Sequence, residues 1–119
     1  MYRLLAVLPT VLSGLALSVS IEAQAASFDC NKAGTADEKA ICRDLVLNDK
    51  DVRMELLYSI DRRFMGMGAR GALIDEQSDW LKRRRACGAK TDCLNEQYDQ
   101  RIAALRKFID ERVVTHGPF

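Results

Sequence analysis

Residues 80–105 read WLKRRRACGAKTDCLNEQYDQRIAAL, and they decide the fold class. Upstream of the central Gly88, Trp80, Leu81 and Arg84 continue a row begun by Leu73 and Gln77, at the three- and four-residue intervals of one helix face. Downstream, Leu94, Tyr98, Ile102, Leu105 and Ile109 recur in the same way. Two helices are therefore predicted, Leu73 to Ala86 and Thr91 to about Val113. Gly88, one residue past Cys87, suits the left-handed conformation that ends helices. The pair forms an antiparallel hairpin, and Cys87 and Cys93 flank its turn. Trp80, the single tryptophan, is assigned to the core, because large aromatics carry much of the burial in a small domain. The run Lys82-Arg83-Arg84-Arg85 lies in the last turn of its helix, where cations complement the dipole. Consecutive residues on a helix point different ways, so the four cannot share one face. Arg84, four residues after Trp80, is the one expected to turn inward and meet a carboxylate or carbonyl.

Working toward the N-terminus, Gly66, Gly68 and Gly71 interrupt the pattern and predict a flexible connection that carries Met67, Ala69 and Arg70. Before it, Met54, Leu57, Ile60 and Phe64 predict a helix from Asn48 or Asp49 to about Met65, flanked by Leu56 and Tyr58. Thr35-Ala36-Asp37-Glu38 has the capping-box form, in which the threonine and glutamate side chains each satisfy a free N–H at a helix start. A short helix from Ala36 to about Cys42 follows. The tail from Thr115 to Phe119 is expected to fray. The fold class is all-α: a small helical domain of about four helices.

The first 25 residues look like a cleavable signal peptide. Arg3 supplies the basic start, Leu4 to Val19 the apolar stretch, and Ala23-Gln24-Ala25 a small-residue cleavage site. That stretch is shorter than the roughly 20 residues a spanning helix needs, and Pro9 interrupts it. The expected product is a single domain of residues 26–119, periplasmic or secreted, with no stable membrane insertion. All four cysteines lie in that product. An oxidising compartment favours disulfides, and a small domain benefits from them. Four cysteines permit three pairings. The local ones, Cys30–Cys42 and Cys87–Cys93, each close a short loop beside a helix end, and such loops contribute about 2 to 3 kcal/mol in the chain-entropy model. Neither spacing matches a zinc site or a Cys-x-x-Cys redox motif. With 18 basic and 17 acidic residues, no overall field draws the chain to nucleic acid.

Few residues suggest catalysis. The only histidine, His116, sits in the tail, and no hydroxyl or thiol has an evident base beside it. Asp75, Glu76 and Asp79, and Asp44, Asp49 and Asp51, are acidic clusters near predicted helix starts, where negative charge complements the dipole. No enzyme, metal or cofactor is expected. A glycan hydrolase would have only those carboxylates to work with.

The segments SFDC (27–30), EKAIC (38–42), WLKRRRAC (80–87) and CLNEQYDQRIAAL (93–105), with Leu47, Asp51 and Tyr58 between them, resemble the LprI-type lysozyme-inhibitor domain. The similarity runs from about Ser27 to Lys107. Its pattern rests on the ordered cysteines, Glu38, Asp51, Tyr58, Trp80, Arg84 and Arg101. The resemblance implies a disulfide-bonded, all-helical extracytoplasmic domain without catalytic residues, in a family named for a member that inhibits lysozyme. The chain departs from the pattern at Arg85, where an acid is common, at Lys50, which is often apolar, and in having no lipidation cysteine. The functional expectation is an exported protein-binding module with lysozyme or a related cell-wall hydrolase as partner. The alternative is a cell-envelope adaptor that docks through the exposed side of the second helix. An inhibitor must block a cleft lined by two carboxylates, so a protruding loop with a cation would suit it. Arg70 in the glycine-rich connection and Lys90 in the hairpin turn are the candidate partner-binding residues.

Overall fold

A computed structural model describes residues 26–115 of the protein. The predicted signal peptide and the tail from His116 lie outside the described residues. The chain folds as an all-α domain with two disulfides, Cys30–Cys42 and Cys87–Cys93. A single 3-10 turn, Cys30–Lys32, leads into α1 (Ala36–Arg43), α2 (Leu45–Phe64), α3 (Met67–Ala86) and α4 (Thr91–Phe108). The last helix continues as a π-helical turn, Ile109–Val114.

Local chemistry accounts for most helix ends. The predicted capping box opens α1, where the Glu38 carboxylate accepts from the backbone N–H groups of Gly34 at 2.8 Å and Thr35 at 3.2 Å. Those two bonds hold the Glu38 carboxyl below its usual range. Asp44 ends α1 and caps α2, accepting from Val46 N at 2.9 Å and Leu47 N at 3.2 Å. The second helix thus starts earlier than the Asn48 or Asp49 expected, because its apolar first residues hid the cap. Gly88 takes the left-handed conformation (φ 58°) between α3 and α4, as its position implied.

Two expectations fail along α2 and α3. The first is the glycine-rich loop: α3 begins at Met67, so only Met65 and Gly66 separate it from α2, and Gly68 and Gly71 lie inside the helix. Each glycine costs the helix about 1 kcal/mol. The core row offsets this, since Arg70, Leu73, Gln77, Trp80 and Arg84 form one continuous stripe whose last four members are buried. The second is the register of α2. Its buried row is Leu47, Asp51, Met54, Tyr58 and Asp61, while Leu57 and Ile60 are half-buried and Phe64 and Leu56 are exposed. Two aspartates on the core face disguised the stripe from a search for apolar residues.

The core is formed by Ile41 of α1, Leu47 and Met54 of α2, Leu73 and Trp80 of α3, and Leu94, Tyr98 and Leu105 of α4. Phe28 of the lead-in packs against it from outside. Leu81, expected beside Trp80, is exposed. Cys30–Cys42 ties the lead-in to the end of α1, and Cys87–Cys93 closes the α3–α4 turn.

Candidate functional site

Four helices and the N-terminal lead-in converge on Arg84. Its Nε donates to Asp37 Oδ2 of α1 at 2.9 Å, and its Nη1 lies 3.6 Å from Asp51 Oδ1 of α2. The same nitrogen reaches the Tyr98 hydroxyl of α4 at 3.5 Å. The guanidinium sits 5.7 Å from the ring centres of both Phe28 and Trp80, within cation–π range. The inward turn expected of Arg84 is what the structure has.

Asp51 is the counterpart. Its Oδ1 accepts from the Tyr98 hydroxyl at 2.7 Å, and its Oδ2 accepts from Ser27 N at 2.7 Å, which draws the lead-in onto α2. Trp80 donates its indole N–H to the Gln97 carbonyl at 3.0 Å and meets the Tyr98 ring edge-on at 5.2 Å. Arg84, Asp37 and Asp51 are all buried, a setting in which unpaired charge is costly and paired, hydrogen-bonded charge is tolerated. Burial works to raise the Asp37 pKa, but donation from the Thr35 and Arg84 side chains and the Arg84 charge outweigh it, so the carboxyl titrates below its ordinary range. Burial, reinforced by the Asp51 charge, pushes the Tyr98 phenol up.

A second polar cluster occupies the other end of the α2–α4 interface. Arg101 Nε donates to Gln77 Oε1 at 2.9 Å, and its Nη1 lies 3.6 Å from the exposed Glu76. Gln77 donates in turn to the Met54 sulfur at 3.2 Å. Asp61 is buried nearby with no hydrogen-bond partner on either carboxylate oxygen, and Arg101 Nη2 also lacks one. Burial raises the Asp61 pKa to about 6 against the pull of the Arg101 charge.

Of the acidic residues that the spacing placed near helix starts, Asp44 alone caps one. Asp44 is a true N-cap, Asp49 is exposed, and Asp51 belongs to the core network. Because α3 starts early, Asp75, Glu76 and Asp79 lie along its middle and are exposed. Asp79 pairs with Lys82 at 2.9 Å, which lowers its pKa, and Glu76 pairs with Arg101. Among the described residues, no group of three or more His, Cys, Asp or Glu side chains is placed to hold a metal ion.

The two candidate binding residues are far from equivalent. Lys90 is exposed at the end of the Gly88–Lys90 turn and begins α4 as its N-cap. Arg70 is on no loop: it is half-buried in the first turns of α3, and its Nη2 donates to the Met65 carbonyl at 3.1 Å. Of the pattern residues, Glu38 caps α1, while Tyr58, Trp80, Arg84, Asp51 and Arg101 face inward. Over Tyr58 lies the Arg62 guanidinium, 5.5 Å from the ring centre.

Open grooves mark the surface of the described residues. One of about 430 Å³ runs between α2 and α3 over Met54 and Tyr58, with Phe28, Ile74 and Leu81 on its walls. Two others, of about 540 and 480 Å³, flank the α2–α3 turn. Apart from these, Leu45, Val52 and Leu56 form an exposed apolar row along the outer side of α2. Comparison with protein-family models, with curated proteins and with solved structures returned no match.

Sequence reasoning missed Asp61 altogether and read Asp37 only as a position in the capping-box motif. Asp61 falls on the three-four spacing of Leu47, Asp51, Met54 and Tyr58, and that spacing was the signal available.

Proposed function

We propose that the protein is exported to the periplasm or beyond, with residues 1–25 removed, and acts there as a protein-binding module that inhibits lysozyme or a related cell-wall hydrolase. The observation that supports this most directly is the Gly88–Lys90 turn. It is short, Ala89 and Lys90 are exposed, and the Cys87–Cys93 bond closes it. A disulfide-closed turn loses little conformational freedom on binding, and this preorganisation favours affinity. The Lys90 ammonium has the charge suited to a cleft built around two carboxylates. The similarity of residues 27–107 to the LprI-type pattern supplies the target class, and the two disulfides fit an oxidising compartment. Arg70 leaves this surface, since it lies in α3 at the opposite end of that helix from the turn.

The deciding experiment is a muramidase assay in which the oxidised protein is titrated against c-type, g-type and bacterial lysozymes. Dose-dependent inhibition is expected with at least one class and should be lost on reduction. Lys90→Ala should weaken it several-fold at unchanged thermal stability. Full muramidase activity with every class at saturating protein would sink the inhibitor function.

The row of Leu45, Val52 and Leu56 favours a second role, that of a non-enzymatic envelope adaptor. These side chains are 80%, 44% and 60% exposed on the outer side of α2. An apolar helix stripe of this kind suits docking into a partner's groove.

A further inference from the structure

The α2–α3 turn end of the molecule combines two features. One is an excess of positive charge: Arg62 stacks on Tyr58 and Arg70 donates to the Met65 carbonyl, but neither is in an ion pair. Arg62, Arg63 and Arg70 line the groove of about 540 Å³ together with Ser59, and among the described residues no carboxylate lines it. Arg112 lines the adjoining groove of about 480 Å³. None of the four arginines forms an ion pair among the described residues, whereas Lys32, Lys50, Lys82, Arg84, Arg101 and Lys107 all do. The Nε of Arg70 is buried without a hydrogen-bond partner. The acids nearest in sequence to Arg112 are Asp110 and Glu111, and Glu111 is already 3.8 Å from Lys107.

The second feature is apolar. Met67, the first residue of α3, is 88% exposed at this end. Phe64, Met65, Ala69 and Phe108 wall the groove beside it, and Phe64 is 49% exposed. Exposed apolar side chains beside arginines that form no ion pair match the two requirements of an anionic lipid surface: an acyl boundary that accepts shallow apolar insertion, and headgroup phosphates that attract cations. Among the described residues no helix is long and apolar enough to cross a membrane, so the contact would be peripheral.

We propose that the α2–α3 turn end docks on an anionic phospholipid bilayer, with Met67 at the acyl boundary and Arg62, Arg63, Arg70 and Arg112 on headgroup phosphates. The docking end is separate from the Lys90 turn, so a bound molecule keeps that turn available for a protein partner.

The test uses full-length, oxidised protein carrying Met67→Trp as a local reporter. Native Trp80 is only 1% exposed, so a change in emission on adding vesicles comes from the new side chain at the tip. Vesicles of about equal parts phosphatidylglycerol and phosphatidylcholine should shift the emission to the blue, and pure phosphatidylcholine should not. Raising salt from about 0.05 to 0.5 M should reverse the shift, because screening shortens the reach of the lipid charge. In the reporter background, Arg62→Gln with Arg63→Gln should weaken partitioning about 25-fold, from about fivefold per basic residue. If that double variant fails to fold, Arg63→Gln with Arg112→Gln replaces it, since both side chains are exposed. Four results would overturn the proposal: equal shifts on neutral and anionic vesicles, no shift on either, unchanged partitioning of the folded arginine variant, or release by millimolar inorganic phosphate, which would mark a site for a free anion. A tip reporter already blue-shifted before vesicles are added would also overturn it, by showing that the chain itself covers the patch.

Discussion

Arg84 and Arg101 are both 6% exposed and both project from helices into the core, yet their surroundings differ sharply. Arg84 meets two buried carboxylates, a phenol and two aromatic faces, beside the disulfide-tied lead-in and hairpin. Arg101 meets a glutamine and one exposed glutamate, while the carboxylate of Asp61 close by is left with no hydrogen bond. The stapled half of the molecule holds a network in which Arg84 and Asp51 each meet several partners, and it locks four helices and the lead-in together, although Asp37 Oδ1 and Asn48 Oδ1 lack a hydrogen bond. The half toward the α2–α3 turn keeps a buried carboxylate with neither oxygen bonded, open grooves and arginines that form no ion pair. Burial alone does not make an ionic group structural; the number of partners it satisfies does.

Substitution of the two arginines should expose the contrast most strongly. Arg84→Met leaves Asp37 and Asp51 buried without their cation, and breaking such a pair costs about 3 to 5 kcal/mol. Arg101→Met removes one buried hydrogen bond and an ion pair to an exposed acid, so about 1 to 2 kcal/mol is expected. Urea unfolding of both variants measures the difference. Equal losses would abolish the distinction between the two halves.

Asp61→Asn should act in the opposite direction. The Asp61 pKa is raised from 3.8 to about 6 in the folded state, so the folded protein holds that proton to higher pH than the unfolded chain does. Its contribution to stability is therefore full below about pH 4, falls as pH rises from 3.8 to about 6, and stays lost above that. The shift corresponds to about 2 to 3 kcal/mol at neutral pH. The amide cannot ionise, so the variant should gain stability relative to the parent between pH 4 and 6 and end about 2 kcal/mol ahead at pH 7.5, an upper figure because the amide also lacks partners. Thermal unfolding across that range gives the comparison. A constant offset with pH would mean that Asp61 is not buried as an acid.

The smallest effect tests the stapled half at its edge. Glu38→Ala removes the acceptor for Gly34 N and Thr35 N and should cost about 1 kcal/mol. The effect should shrink in acid, because the depressed Glu38 pKa makes its contribution one that is lost as pH falls through the folded-state value. Guanidinium unfolding at pH 7 and pH 3 would register it, and an identical loss at both pH values would assign the effect to packing.

Much of this architecture was legible one residue at a time. The hairpin around Gly88, the capping box at Thr35 and Glu38, the local pairing of the cysteines and the inward turn of Arg84 follow from short-range rules: a left-handed glycine, N–H groups needing acceptors, short loop closures and a 3.6-residue period. Other features depended on groups distant in sequence. Whether residues 66–71 were loop or helix depended on the core row from Leu73 to Arg84 prolonging α3 back past two glycines. The role of Asp51 depended on Tyr98 and Ser27, and that of Asp37 on Arg84, each across a helix interface. A charged residue reads as surface until its partner is known, because only the partner offsets its desolvation. Local sequence thus determined that there are four helices, the cap of α1, the Gly88 turn and the cross-links. Tertiary structure alone decided which carboxylates are buried, which charges are paired, and which other arginines are left facing outward.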